Sequence, residues 1–393
     1  MSLKKILFII PSFNFGGTVF STLNMISFLK KDYDVLVLPM TYQGPVIKSY
    51  IDSQVQLLPE YMSLSSMIGT INMEYKLLKK IIFFVLKLSR KICSWFGYDF
   101  EYKIFQKVAK EIEDKYDIDF VVSCQEGNST YFASCFNVCK KIAWFRNEYS
   151  IYILENPPID HKKNQMLYPL FDSIVCVSET TRTDFISYFP DIANKVKSIH
   201  NIQNVSNIVL KSKEVINDFP SSPFVIVSVG RINPQKRFSQ IPSIARKILD
   251  AGCEFTWIII GDGNVYGEWE RLQVEIQKNG VNDNVKCLGG KLNPYPYIQK
   301  ANLLVNVSYV EACPRVVIES KILNTPVICA DFSSATEFTT SGYDGYVETI
   351  DNIHAPIIEL IKNPDLYATI KNTCNSYSIG VNKIYDQLKN LFK

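Results

Sequence analysis

Two glutamates lie on either side of a proline in the stretch VSYVEACPRVVIES, residues 307–320. Proline suits the first position of a helix, so Pro314 predicts a helix that carries Glu319 about a turn and a half further on. Glu311 then lies in the loop that enters the helix. The first amides point out of such a helix, and the helix dipole favours an anion there. These would be the amides of Arg315, Val316 and Val317. The spacing predicts a site for a hydroxyl-rich ligand with a phosphate bridge, such as a nucleoside diphosphate sugar.

Two further stretches could contact that ligand, one through positively charged side chains and the other through a closely approaching backbone. VSVGRINPQKR, residues 227–237, places Arg231 and Lys236 in the turn after a predicted buried strand. An arginine fork and a lysine point charge at the carboxyl edge of a sheet suit a diphosphate, although a basic loop by itself is usually solvated surface. NFGGTV, residues 14–19, follows the first strand with two glycines, which either bring the backbone close to a ligand or simply form a tight turn.

Apolar runs alternate with helical patterns along the chain, as in the βαβ units of a parallel sheet that is buried on both faces. The predicted strands are 4–10, 34–40, 119–125, 141–146, 173–179 and 196–201, then 224–231, 255–263, 285–290, 301–308 and 326–331. A polar stretch over 201–223 separates the two series and is predicted to be a linker. We therefore expect an α/β protein of two Rossmann-like domains, with the ligand in a cleft at the carboxyl ends of the strands.

The expected domains are an N-terminal one over 1–205 and a C-terminal one over 206–375. A last helix over 376–393 is expected to pack back toward the first domain. The length of 393 residues is ample for two domains, and 47% hydrophobic with 21% charged residues is typical of a globular protein. The net charge of +3 gives no electrostatic reason to expect a nucleic acid partner. Scattered cysteines without a CxxC pair and only three histidines predict a reducing, cytoplasmic environment and no metal site.

Residues 76–95 predict a basic amphipathic helix. One arc of that helix holds Ile81, Phe84, Val85, Leu88, Ile92 and Trp95. The other arc holds Lys79, Lys80, Lys87, Arg90, Lys91 and Ser94, with Phe83 out of place among them. The apolar run is far shorter than the roughly 20 residues of a membrane-spanning helix. Two interpretations stay open: peripheral contact with an anionic membrane surface, and packing of the apolar arc on the sheet.

On these motifs the sequence resembles the glycosyltransferases of family 4, which have the GT-B fold. The resemblance rests on FGGT, SVGRINPQKR, IIIGDG, PYPYIQKANLLVNVSYVEACPRVVIES and PVICADFSSATEF, and it covers most of residues 224–340. It implies a retaining enzyme that transfers a hexose or N-acetylhexosamine from a nucleoside diphosphate sugar, UDP-sugar above all. The implied acceptor is a glycan or a lipid-linked glycan of cell-surface polysaccharide synthesis, at the inner face of the cytoplasmic membrane. Neither a metal ion nor another cofactor is implied.

The resemblance also implies roles for individual residues. Arg231 and Lys236 would hold the diphosphate, Glu319 the ribose hydroxyls, and Glu311 would face the transferred sugar. Further donor contacts would come from Gly16, Gly17, Cys287, Leu288, Ala312, Cys313, Arg315 and Val316. Relatives commonly show a histidine where this chain has Arg146, which is therefore a candidate contact for the sugar or the acceptor. That departure keeps an alternative open, a non-catalytic GT-B partner that positions an acceptor or a second transferase.

Overall fold

The chain is divided by its internal contacts into two units, each built on one parallel sheet. The computed structural model describes residues 3–12, 17–41, 54–69, 77–95, 99–137, 139–155, 161–374 and 377–393. The first unit comprises Met1–Ile202 and Asp386–Lys393, and the second comprises Gln203–Tyr385. The two parallel sheets confirm the predicted α/β class.

The first unit contains a seven-stranded sheet. Its strands are β1 (Lys5–Ser12), β2 (Asp34–Thr41), β3 (Gln56–Leu57), β4 (Phe120–Ser123), β5 (Lys140–Phe145), β6 (Ser173–Cys176) and β7 (Val196–Ser198). They pair in parallel in the order β3-β2-β1-β4-β5-β6-β7. The helices are α1 (Gly17–Leu29), α2 (Met62–Ile68), α3 (Leu77–Trp95), α4 (Phe100–Tyr116), α5 (Asn128–Ser134), α6 (Tyr149–Glu155), α7 (His161–Leu167) and α8 (Glu179–Tyr188). The strands are short apolar runs because helices cover both faces of such a sheet.

The second unit contains a six-stranded sheet. Its strands are β8 (Val225–Val229), β9 (Thr256–Ile260), β10 (Val285–Cys287), β11 (Leu303–Asn306), β12 (Val327–Ala330) and β13 (Gly345–Glu348). They pair in parallel in the order β10-β9-β8-β11-β12-β13. The helices are α9 (Val205–Lys211), α10 (Ile241–Asp250), α11 (Glu268–Lys278), α12 (Tyr295–Lys300), α13 (Arg315–Ile322), α14 (Ala335–Phe338), α15 (His354–Lys362) and α16 (Pro364–Thr373), and α17 (Tyr377–Leu391) ends the helical series of the chain.

The second sheet has a buried polar link beneath the ends of its three central strands. The indole of Trp257 on β9 donates to the Ser228 hydroxyl on β8 at 3.0 Å, and that hydroxyl donates to the Val305 carbonyl on β11 at 2.6 Å. All three residues are buried, so each bond replaces one that water would otherwise make. The link fixes β8 between β9 and β11.

Three elements differ from the sequence prediction. The stretch 201–223, predicted to be a linker, contains α9, which is capped by the Asn204 side chain bonding the Asn207 amide at 3.1 Å. Strands β3 and β13 were not predicted. Both lie at sheet edges, where a strand needs few apolar residues and gives a weak pattern.

The helix predicted over 76–95 is α3, and residue 76 lies outside the described residues. Its apolar arc does not pack on the sheet, so that interpretation was wrong: the whole arc is exposed to solvent. The packed side is centred on Phe83, which is 1% exposed, and includes two residues predicted to face outward. Lys79 is ion-paired with Glu60 at 3.6 Å, and Arg90 with Glu101 at 3.1 Å. None of the helices that the structure describes has the length and hydropathy of a bilayer-spanning segment.

Candidate active site

The candidate site forms where the strand order of the second unit reverses. From β8 the chain runs outward through β9 to β10, then crosses to β11 on the other side of β8. At such a switch point the loops that follow the two central strands diverge and leave a crevice at their carboxyl ends. The loops here are 230–237 after β8 and 307–314 after β11. They carry the residues that the sequence had singled out.

Two hydrogen bonds join these two loops. The Tyr309 amide donates to the Gln235 carbonyl at 2.8 Å, and the Gln235 side-chain amide donates to the Val310 carbonyl at 2.9 Å. Gln235 therefore acts as a clasp between them. Gln235 lies in the stretch SVGRINPQKR that carried the resemblance, but no role was predicted for it, because this contact depends on a neighbour that is far away along the chain.

Lys236 and Glu311 meet across the two loops. The Asn233 side chain accepts a hydrogen bond from the Lys236 amide at 3.0 Å and so fixes the start of the short helical turn Pro234–Lys236. The Lys236 ammonium bonds Glu311 Oε1, and the Ser308 hydroxyl donates to the same oxygen at 2.9 Å. An ammonium has three donors, so Lys236 can hold this carboxylate and a phosphate oxygen together.

The backbone carbonyl of Glu311 is also fixed by a hydrogen bond, whereas its second side-chain oxygen is not fixed by the described residues. The Ser334 hydroxyl, from the loop after β12, donates to the Glu311 carbonyl at 2.6 Å. Its side-chain Oε2 receives no hydrogen bond from any residue that the structure describes. A carboxylate with one oxygen fixed and the other open can accept a bond from a ligand hydroxyl. Ser308 and Ser334 stand in stretches that carried the resemblance, which was the available signal for them.

Helix α13 begins directly after this loop. Pro314 occupies the cap position rather than the first helical position, and no side chain caps the helix start. The Val317 amide donates to the Pro314 carbonyl at 3.1 Å, so the prediction that this amide faces an anion was wrong. The reason is that the first turn closes tightly on the proline carbonyl. Arg315 and Val316 form the first turn and are half-buried, while Ala312 and Cys313 form the bend before it.

Glu319 is the fifth residue of α13 and is nearly enclosed, with 6% of its surface exposed. Arg315 Nη2 donates to its Oε1 at 2.7 Å, and the Tyr295 hydroxyl donates to the same oxygen at 3.4 Å. Burial raises the pKa of Glu319, and the neighbouring guanidinium and hydroxyl oppose that shift without cancelling it. A ribose that bonds this carboxylate must share it with these two donors. Tyr295 lies 24 residues earlier in the chain, in a stretch that carried the resemblance, but no role was predicted for it.

A buried ion pair holds α13 in position. The Lys321 ammonium lies 2.6 Å from Asp344 Oδ2 and also donates to the Phe338 carbonyl. Both charged side chains are less than a tenth exposed. Because an unpaired charge would be costly there, this pair fixes the helix that presents Glu319.

Arg231 follows β8 at a point where three backbone segments converge. A Cβ at Gly261 would lie 1.8 Å from the Gly230 carbonyl oxygen, so the loop after β8 can pack on the loop after β9 only with glycine there. Arg231 itself is exposed, and its guanidinium makes no hydrogen bond or ion pair to a residue in the described part of the chain. It therefore remains available to a phosphate.

The resemblance implies that the nucleotide base lies near Cys287 and Leu288, and these two residues are at the outer edge of the same sheet. Cys287 ends β10, where the Gln273 side chain approaches its Sγ at 3.7 Å and burial raises the pKa of the thiol. The Leu288 amide donates to the Ile259 carbonyl at 2.9 Å. That amide is used within the sheet, which leaves carbonyl oxygens rather than this amide to contact a base.

Three predicted contacts, Gly16, Gly17 and Arg146, belong to the first unit. Gly17 is the first residue of α1, and Gly16 lies outside the described residues. Arg146 follows β5 and is 9% exposed. Its guanidinium donates to the Cys124 carbonyl at 2.6 Å, to Asn201 Oδ1 at 2.7 Å and to the Thr22 hydroxyl at 3.2 Å. These bonds join four segments of the unit, and contact of Arg146 with a sugar or acceptor stays a prediction.

A buried carboxylate lies beside that arginine. Glu126 is 5% exposed, and its Oε2 accepts a bond from the Arg146 amide at 3.0 Å while Oε1 bonds the Asn147 side chain. Burial raises the pKa of Glu126, and these bonds oppose the shift. No group of three His, Cys, Asp or Glu side chains within the described ranges is arranged to hold a metal ion.

Comparison with known proteins identifies the fold of the whole chain and the family resemblance of its second unit. Residues 211–375 match the family model described as Glycosyl transferases group 1. The chain is similar over its full length to the structure of HepE from Anabaena in complex with UDP, at 17% identity and a TM-score of 0.69, covering 98% of this chain and 99% of that one. This likeness shows the GT-B fold, as the two Rossmann-like units had indicated.

Two curated relatives are identical to the chain at about a quarter of the aligned positions. The uncharacterized glycosyltransferase MJ1059 of Methanocaldococcus jannaschii is 28% identical over 210 residues, which are 50% of this chain and 49% of that protein. The N-acetylgalactosamine-N,N'-diacetylbacillosaminyl-diphospho-undecaprenol 4-alpha-N-acetylgalactosaminyltransferase of Campylobacter jejuni is 27% identical over 188 residues, 48% of this chain and 49% of that protein. The chain thus spans about half the length of the curated relatives it matches.

Proposed function

We propose that the protein is a retaining, metal-independent glycosyltransferase. It moves a hexose or N-acetylhexosamine from a nucleoside diphosphate sugar, UDP-sugar above all, to a glycan or lipid-linked glycan on the cytoplasmic side of a membrane. The observation that carries the proposal is the convergence of Lys236, Glu311 and Glu319 around the start of α13 at the β8–β11 switch point. The match to the glycosyltransferase family model covers this unit. The name of the Campylobacter relative, with its diphospho-undecaprenol acceptor, supports the acceptor class.

The arrangement suits charge that develops on a departing diphosphate. Lys236 and the exposed Arg231 supply cations, and the uncapped start of α13 adds the positive end of its dipole. Stabilisation of this kind acts more strongly on the transition state, where the leaving oxygen gains negative charge, than on the bound sugar nucleotide. Glu319 would accept the ribose hydroxyls, and the open Oε2 of Glu311 would accept a hydroxyl of the transferred sugar.

The proposed step breaks the bond between the sugar C1 and the phosphate oxygen and forms a bond from C1 to the acceptor oxygen on the same face. The acceptor proton passes to the departing diphosphate oxygen, so no strong protein base is needed. Retention of configuration follows because entry and departure share one face. The fixed cations keep the leaving diphosphate in place while it takes the proton.

The test begins with thermal shifts by UDP-, GDP- and ADP-sugars, followed by calorimetry and release of diphosphate. Glu319→Ala is expected to weaken nucleotide binding roughly 10- to 150-fold, because a hydrogen bond to a charged group contributes about 1.5–3 kcal/mol. Arg231→Ala is expected chiefly to slow transfer. Glu254→Ala, on the exposed surface of the same unit, serves as the control. The anomeric configuration of the product, read by NMR, tests retention.

If affinity and turnover are unchanged in both variants, the assignment of these residues to a donor site is wrong. If no sugar nucleotide shifts the melting temperature and none releases diphosphate, the chain is a non-catalytic partner instead. A product of inverted configuration would leave the donor site standing and contradict the same-face mechanism.

A further inference from the structure

An exposed apolar surface lies on α3, outside the candidate active site. Seven large apolar side chains of this helix share one side, which we call the apolar face: Leu77, Ile81, Phe84, Val85, Leu88, Ile92 and Trp95. At 3.6 residues per turn they fall within about a third of the helix circumference. Leu77 is 75% exposed, Phe84 62% and Trp95 77%. Contiguous apolar surface of this kind marks an interaction site in a soluble unit.

The opposite side of α3 explains why this face is turned outward. Phe83 is buried, and Leu86 packs against the core of the first unit. Arg90 donates to the Met67 carbonyl at 2.7 Å and pairs with Glu101, whose carboxyl is mostly buried. The helix is thus held by a narrow apolar contact and by charge-assisted bonds to the neighbouring α2 and α4. Its wider apolar face is left toward solvent.

The basic residues of α3 indicate that the partner of the apolar face is negatively charged. Lys80, Lys87 and Lys91 fall together along one edge of the apolar face, when positions are placed at 3.6 residues per turn. No acidic residue occurs in α3. The two remaining basic residues of the helix, Lys79 and Arg90, face the packed side, where they pair with glutamates.

We propose that α3 docks on an anionic membrane surface, with the apolar face in the boundary between head groups and acyl chains and the three lysines on lipid phosphates. An amphipathic helix with a basic edge has this geometry at an interface. A second copy of the chain would bring the same lysines against one another, whereas anionic lipid supplies the opposite charge. The surface belongs to the first unit and its binding is measured without turnover, so the outcome is independent of the proposed function.

The test uses the full chain with vesicles of equal parts phosphatidylcholine and phosphatidylglycerol, and with vesicles of phosphatidylcholine alone. The wild type is expected to co-float with the anionic vesicles at low salt, to leave them at high salt and to ignore the neutral ones. Replacing Lys80, Lys87 and Lys91 by glutamine is expected to lower partitioning roughly a hundredfold, since each basic residue contributes about 1 kcal/mol near such a surface. The matched control carries glutamine at Lys278, Lys286 and Lys362, which are exposed lysines of the second unit.

A second variant separates the apolar contribution. Phe84→Ser, Leu88→Ser and Ile92→Ser together change only exposed side chains, so the fold is expected to persist by circular dichroism while vesicle binding is lost. The proposal is overturned if the wild type does not bind anionic vesicles at low salt, or if the lysine variant binds as its control does. Concentration-dependent dimerisation of the wild type that the serine variant abolishes, without vesicle binding, would identify the face as an interface between copies.

Discussion

Replacing Lys236 by methionine removes one ammonium and preserves the reach of the side chain. In the structure this ammonium bonds Glu311 Oε1, and the two side chains are only 20% and 13% exposed. The change leaves the Ser308 hydroxyl as the remaining donor to that oxygen. Removing one partner of a buried ion pair costs roughly 3–5 kcal/mol, and the residual exposure with the Ser308 bond reduces this to about 2 kcal/mol. For a unit of this size the melting temperature should fall by about 4–8 °C.

Binding of UDP should fall at the same time. If Lys236 also bonds a phosphate oxygen, loss of that charge-assisted bond removes about 1.5–3 kcal/mol, which is roughly a 10- to 150-fold weaker affinity. The double variant Lys236→Met with Glu311→Gln removes both charges and leaves no unpaired carboxylate. Its stability should therefore return toward that of the wild type, whereas its affinity for UDP should stay low.

The assays are thermal unfolding and calorimetric titration with UDP, each on the wild type, both single variants and the double variant. Lys278→Met, on an exposed lysine of α11, is the matched control for loss of one positive charge. The reasoning is refuted if the double variant binds UDP as tightly as the wild type. In that case the pair serves only to hold the two loops together.

Two further outcomes are expected. Burial raises the pKa of Glu319 in the folded chain, so over a range of pH the folded chain keeps a proton that the unfolded chain releases. The folded state therefore loses stability as pH rises from the ordinary glutamate pKa through the raised folded pKa. The melting temperature of wild type relative to Glu319→Gln should fall as pH rises above the ordinary glutamate pKa of about 4.3, and a pH-independent difference in a thermal-shift series would contradict this. Arg146→Leu leaves three buried acceptors without their donor, so it should destabilise the first unit by about 3–5 kcal/mol in urea unfolding. The affinity for UDP should stay unchanged. A weaker affinity for UDP in a folded variant would show that Arg146 does more than bond other residues of its own unit.

The sequence predicted the strands of both sheets except the edge strands β3 and β13, because parallel strands buried on two faces are continuous apolar runs. It predicted the place of Glu311 and Lys236 as well, because loops after central strands meet at a known edge of such a sheet. The resemblance then gave these residues roles. What it could not give was the direct contact between the two side chains, since that depends on the Gln235 clasp and on the order of the strands.

The features that were missed depend on tertiary context. Tyr295 approaches Glu319 from another helix, and the pattern around it is an ordinary short helix. For α3, the periodicity correctly separated an apolar from a basic arc, yet the side that packs was decided by Glu60 and Glu101 on other segments. A local pattern holds no information on such partners. Phe83 looked out of place for the same reason.

The separation of Lys236 and Glu311 by 75 positions has a consequence for synthesis of the chain. Two strands and three helices, β9, β10, α10, α11 and α12, are made between the loops, and β11 must then insert beside β8 before the loops can touch. Such non-local pairing is slow compared with the formation of a helix. The ion pair that holds α13 adds a later requirement, because Asp344 must have left the ribosome before Lys321 can pair with it. A nascent chain that ends before this aspartate should therefore fail to retain UDP, and nucleotide capture would report that the second unit has finished folding.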